Sequence, residues 1–194
     1  MKRNGFLILL AVAVAVALAI TYWPQKEAAE SYNPDSDEAL QAVIEASERG
    51  EELRKLVAET PAEEQRDMAY LIVNMPEHDR EGMDLELLKE NVAYANIARN
   101  KYAWAKELPE EVYLCDVLPY AVVDEVRDSW RKDMYEMFAP AVDTCETMYD
   151  AICAVNANIP ALTGVHYNTK REKTNQSPSE SIRQGMASCT GLSI

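Results

Sequence analysis

The stretch Ser177-Pro-Ser-Glu-Ser-Ile-Arg-Gln-Gly-Met-Ala-Ser-Cys189-Thr-Gly-Leu-Ser-Ile194 decides how the whole chain is read. Ser177 suits a helix N-cap, Pro178 the first helical position, and Glu180 the carboxylate of a capping box. Gly185 then stops the helix, because glycine tolerates the left-handed conformation after a last turn. Met186-Ala187-Ser188 is a tight linker, and Cys189 opens a second helix. A helix N-terminus favours a thiolate through its unpaired N–H groups and its dipole. That is a suitable place for a cysteine nucleophile. On spacing alone, a single cysteine so close to a terminus is more often an ordinary buried residue. The sequence stops five residues later, before the second helix completes two turns.

Upstream of this stretch the pattern is mainly α. Residues 168–176 (NTKREKTNQ) form a polar loop, Val165-His166-Tyr167 a brief strand, and residues 160–164 a turn. A helix over 144–158 carries Met148, Ile152, Val155 and Ile159 at helical spacing. Another over 130–138 turns Trp130, Met134 and Met137 inward, with Pro140 ending or restarting it. Residues 121–124 are extended. Leu108-Pro109-Glu110-Glu111 starts a short helix through Val117, which Leu118-Pro119-Tyr120 interrupts. The longest helix runs from Asp84 to about Lys106, its apolar face marked by Leu85, Leu88, Val92, Ala95 and Tyr102. Residues 77–83 make a charged loop containing His78 and Asp79. Before it, Thr60-Pro61-Ala62-Glu63 reads as a capping box for a helix with Met68, Leu71 and Ile72. Two further helices, over 34–49 and 51–59, are separated by a break at Gly50. The expected organisation is residues 1–24 as export segment, 25–106 as a helical N-terminal region, and 107–194 as a second unit leading to Cys189.

Charge and cysteine content restrict the function. The chain has 194 residues and a net charge of −14, from 19 basic and 33 acidic residues. No basic stripe is available to neutralise phosphates, so nucleic acid is excluded as a partner. The acidity is spread along the predicted helices as a solvated surface. Lys2 and Arg3 precede fifteen uninterrupted apolar residues, Phe6 to Ile20. That length suits a signal peptide better than a membrane span. Tyr22 and Trp23 suit a membrane interface, so an uncleaved anchor over residues 6–23 is the other reading. Both place the rest of the chain outside the cytoplasm, periplasmic or secreted. No cysteine near the apolar run offers a lipid attachment point. Cys145 and Cys153, eight residues apart on one predicted helix, lie about 12 Å apart, beyond disulfide range. Cys115 could pair with either. The favoured reading is that Cys115, Cys145 and Cys153 are all buried as small apolar side chains.

Residues from about Leu108 onward resemble the front part of a transglutaminase-like domain of the kind found in exported bacterial proteins. The matching features are Leu108-Pro109-Glu110-Glu111, Val117-Leu118-Pro119-Tyr120, Glu125, Trp130-Arg131, Ser177-Pro178-Ser179-Glu180, and Gly185 four residues before Cys189. The ordered series is more specific than any one member and covers a little under half the chain. The resemblance implies an α+β papain-like fold of which this chain holds the truncated start, with Cys189 as the catalytic nucleophile. It places a histidine and then an aspartate further along, beyond Ile194. Thr190-Gly191-Leu192-Ser193 departs from the acidic or aromatic residue the family usually has close after its cysteine. The implied chemistry is acyl transfer or amide hydrolysis on a protein or peptide substrate, with no metal and no cofactor. A chain without the histidine lacks the base that activates the thiol, so turnover by these residues alone is not expected.

The two histidines read differently. His166 precedes the cysteine, against the family order, and alternates with Val165 and Tyr167 like a strand residue. His78 sits among Glu77, Asp79 and Glu81 without a second histidine at ligand spacing, and reads as part of a solvated turn rather than a metal site. Trp104 and Trp130 read as core or helix-contact residues. The alternative to the enzyme is a non-catalytic helical extracytoplasmic module for binding or scaffolding, suggested by the acidic helical stretch 34–106.

Overall fold

The computed structural model describes residues 32–193, and these are mainly helical. The export segment 1–24, the anchor reading of residues 6–23 and Ile194 lie outside the described residues. Asp37 accepts the backbone N–H of Leu40 at 3.0 Å and so starts α1 (Glu38–Ala46), which buries Leu40 and Ile44. Gly50 does not simply break the pattern; it opens α2 (Gly50–Glu59). A Cβ on Gly50 would stand 2.2 Å from the Ile44 carbonyl oxygen, so only glycine permits this close return of the chain. α2 buries Leu53, Leu56 and Val57.

The capping box expected at Thr60–Glu63 is not formed. The Thr60 hydroxyl turns back and donates to the Leu56 carbonyl at 2.8 Å, satisfying the end of α2 instead. α3 (Gln65–Asn74) begins without a side-chain cap and buries Met68, Leu71 and Ile72. The charged loop expected at 77–83 is a helix, α4 (Glu77–Gly82), which follows Pro76 and buries Asp79. α5 (Leu85–Lys101) is capped by Asp84 and buries Leu87, Leu88, Asn91, Val92 and Ala95. It ends where Tyr102 turns extended, short of the expected Lys106, and α6 (Ala103–Lys106) follows. α7 (Glu110–Val112) then widens into a π turn over Tyr113–Val117, closed by Leu118 N–H donating to Tyr113 O at 2.8 Å.

Residues 121–130 form no strand. The Glu125 carboxylate takes the N–H groups of Val122 (2.7 Å) and Val123 (2.8 Å), donors that a strand would have offered to a neighbour. α8 (Arg131–Val142) continues through Pro140, and α9 (Met148–Thr163) continues through Pro160 to a left-handed cap at Gly164 (φ 70°). The turn expected at 160–164 is therefore the last turn of α9. Thr147 caps its start by accepting Asp150 N–H at 3.1 Å. α8 packs against both α5 and α9. After α9, β1 (His166–Tyr167) pairs in parallel with β2 (Met186–Ala187), His166 opposite Met186. α10 (Pro178–Gln184) lies between the two strands, and α11 (Cys189–Ser193) follows β2. Residues from Asn33 onward form one compact unit.

Candidate functional site

The capped helix before Cys189 has the geometry its sequence dictates. Ser177 accepts Glu180 N–H at 3.2 Å, and the Glu180 carboxylate accepts Ser177 N–H at 3.0 Å. This capping box and Pro178 start α10, and Gly185 ends it in the left-handed region at φ 63°. The Gly185 carbonyl then accepts His166 N–H at 3.3 Å, and Ala187 O accepts Asn168 N–H at 3.0 Å. The β1–β2 pair thus fixes the linker that leads to Cys189. Ser188 adds a second cap, since its Oγ accepts Gly191 N–H at 2.9 Å and donates to Thr174 O at 2.6 Å. Cys189 is the first residue of α11 and is exposed, with a free thiol.

α11 sits tightly on its supports. A Cβ on Gly191 would lie 3.2 Å from Ala187 Cβ and 3.3 Å from Ser181 Oγ. Gln176 is fully buried beneath it and donates through Nε2 to Met186 O at 3.2 Å. Gln176 Oε1 and Ser181 Oγ are buried without a hydrogen-bond partner. An apolar cavity of about 490 Å³ opens beside α11, lined by Trp130, Phe138, Val155, Ile159, Ile182 and Leu192 among others. Cys189 is not in its lining.

The motifs that stand apart in the sequence are joined in space. Arg131 donates from Nε to Asn91 Oδ1 at 2.7 Å, and from Nη2 to the carbonyls of Val117 and Pro119, both at 2.8 Å. Burial lowers its pKa to about 10. Asn91 returns a bond to Leu118 O at 2.8 Å, and Trp130 Nε1 donates to Tyr120 O at 3.0 Å. Tyr120 OH donates to the buried Asp79 carboxylate at 2.8 Å, and Arg127 pairs with the same oxygen at 3.0 Å. Burial, then the hydrogen bond to Asp79, pushes the Tyr120 phenol well above its ordinary value. Asp128 closes the chain of contacts by accepting from Ser177 Oγ at 2.6 Å. Asn91, Arg127 and Asp128 carry no signal in the sequence, and Asp79 reads there only as part of a charged turn. Nothing local distinguishes Asp79 from Glu77 or Glu81, since its burial comes from residues 41 and 48 positions later.

The remaining candidates fall elsewhere. His166 is exposed on β1, and His78 is exposed with Nε2 3.4 Å from Asp79 Oδ1. Among the described residues neither histidine hydrogen-bonds to Cys189, and no group of three or more His, Cys, Asp and Glu is placed to hold a metal ion. The expected burial of the other cysteines is not found. Cys115 and Cys153 are exposed, Cys145 is half-buried, and all are free thiols. Cys115 lies on the π turn with Sγ 3.4 Å from Tyr70 OH. Cys153 lies on the outer side of α9, and Cys145 precedes that helix rather than sharing it. Trp104 is half-buried, stacked on Tyr102 with ring centroids 4.9 Å apart. No helix among the described residues is long and apolar enough to cross a membrane. Neither a protein-family model, nor a curated protein, nor a solved structure matches this chain.

Proposed function

We propose that residues 107–194 are the leading part of a transglutaminase-like, papain-like α+β domain in an extracytoplasmic protein, with Cys189 as its nucleophile. In this reading the Cys189 thiolate attacks an amide carbonyl of a protein or peptide. The sulfur–carbon bond forms, and the amine leaves with a proton from a histidine. Water or a second amine then takes the acyl group. The histidine and its aspartate are those the family carries after the cysteine. The observation that supports the reading best is the placement of Cys189. It is exposed at the first position of a helix that Ser188 caps and that Gly191 allows to sit close on α10. The bonds from Arg131 to Val117 and Pro119 and from Trp130 to Tyr120, with Ser177 fastened to Asp128, bring together some of the residues on which the resemblance rests.

Alkylation tests this directly. Cys115 and Cys153 are exposed, as Cys189 is, and serve as the reference thiols. Iodoacetamide followed by peptide mass spectrometry is expected to label Cys189 fastest, by about tenfold or more. Equal or slower labelling of Cys189 removes the argument for a nucleophile.

A second reading has its own support. α9 carries one charged residue, Asp150, yet Ala151 is its sole buried residue, while Tyr149, Ile152 and Leu162 are exposed. A nearly uncharged, exposed helix face suits a binding or scaffolding module. Slow Cys189 labelling would leave that reading as the better one.

A further inference from the structure

A cavity of about 360 Å³ opens between α6, the start of α7 and the N-terminus of α9, lined by Trp104, Glu107, Leu108, Pro109, Glu146 and Met148 among others. Its aromatic wall is held rigidly. Trp104 stacks on the buried Tyr102 ring at 4.9 Å with an interplanar angle of 11°, and its Nε1–H donates to Cys145 O at 3.2 Å. Tyr102 is in turn held by its hydroxyl, which donates to Asp143 at 2.7 Å. The two carboxylates, Glu107 and Glu146, are exposed, and among the described residues neither forms an ion pair or hydrogen bond. Lys106, next in sequence to Glu107, pairs with neither. Thr147 is already committed, because its hydroxyl bonds to Asp150 and caps α9. The wall therefore offers an indole ring, a thioether and two free negative charges, on a chain of net charge −14. The face of an indole ring attracts a cation, and unpaired carboxylates beside it add to that attraction. An anion would meet both carboxylates, and a neutral apolar group would leave them unmatched.

We propose that this cavity binds the cationic end of a basic peptide side chain, a guanidinium or an ammonium group. The site is separate from Cys189 and does not rest on the nucleophile reading. This cavity meets α9 at its first residue, Met148, whereas the Cys189 helix borders a different cavity lined by Val155, Asn156, Ile159 and Thr163 of the same helix.

The test uses the full chain, isotopically labelled at its tryptophan indoles, with the Trp104 resonance assigned by its loss in Trp104→Phe. Titration with Nα-acetyl-arginine amide is expected to shift the Trp104 indole resonance saturably and leave that of Trp130 in place. The citrulline counterpart, equal in shape and uncharged, is expected to shift neither. In Glu107→Gln/Glu146→Gln the arginine affinity should fall by about tenfold or more, since two favourable charge contacts are removed. Both positions are exposed and unpaired, so the variant retains the fold, as an unmoved Trp130 resonance would report. Absence of a Trp104 shift overturns the proposal. So does an equal response to citrulline, or an affinity unchanged by removing the two carboxylates.

Discussion

Arg131 is a largely buried cation that has no carboxylate partner among the described residues. Its charge is met instead by Asn91 Oδ1 and by the carbonyls of Val117 and Pro119, at 2.7 to 2.8 Å. Those carbonyls lie at and just beyond the end of the π turn, where the last acceptors of a helix have no intrahelical donor. A planar guanidinium reaches two directions at once, so one side chain satisfies three acceptors on two segments. Lysine has one compact ammonium and cannot bridge Asn91 and the two carbonyls together. Leaving a buried acceptor without a partner costs about 1–3 kcal/mol. Arg131→Lys is therefore expected to lower unfolding stability by about 2–3 kcal/mol, read from the midpoint and slope of a urea titration. A loss under about 0.5 kcal/mol would mean that charge alone, rather than the fork, holds this junction. The sequence marks Trp130-Arg131 as a motif but not its partner. Asn91 is 40 residues away on α5, and no local pattern separates it from Asn96 or Asn100.

At the scale of the element, α10 shows what local chemistry determines. The cap, the proline at its start, the glycine stop and the helix opening at Cys189 are all set by neighbours within a few residues. These were legible in the sequence for that reason. Pro160 reads as a helix end but lies inside α9, because the helix is closed further on by Gly164 and by the Thr163 hydroxyl donating to Ile159 O at 2.7 Å. Residues 77–82 read as a loop by composition. They form a helix whose buried Asp79 carboxylate takes its partners from Tyr120 and Arg127, far along the chain. Ser177 joins the two levels, since its Oγ both caps α10 and donates to Asp128. Ser177→Ala removes both contacts. It is expected to cost about 2 kcal/mol, the upper end for a lost N-cap, because the Asp128 carboxylate also loses its partner. Ser177→Thr keeps a hydroxyl and should recover most of this. If alanine and threonine behave alike in urea unfolding, the Oγ contacts are not what stabilises the helix start.

The whole molecule gains a pH dependence from three tyrosines held by carboxylates on separate parts of the fold. Burial and then the Asp143 hydrogen bond push the Tyr102 phenol up to about 12. Burial and the bond to Asp67 push Tyr113 further up, and burial and Asp79 push up Tyr120. In the unfolded chain each titrates near about 10. Below that pH the phenols are protonated in both states and the contribution is fully present. Above it the unfolded chain ionises first, so stability falls as pH rises from about 10 through the folded values. Arg131 has the opposite sign, because its folded pKa of about 10 lies below its ordinary value and the unfolded chain holds the proton longer. Tyr70, Tyr94, Lys89 and Lys101 are also raised and share the sign of the three tyrosines, so the net slope is downward. Rising negative charge on a chain already at −14 also favours expansion at high pH. The variants separate the two causes. Tyr113→Phe and Tyr120→Phe leave the charge of the folded state unchanged but remove a phenol that ionises in the unfolded chain. Between pH about 9 and about 12 the urea midpoint of the native chain should fall more steeply than that of either variant. Parallel slopes would assign the loss to general charge repulsion and remove the tyrosine–carboxylate pairs as its source.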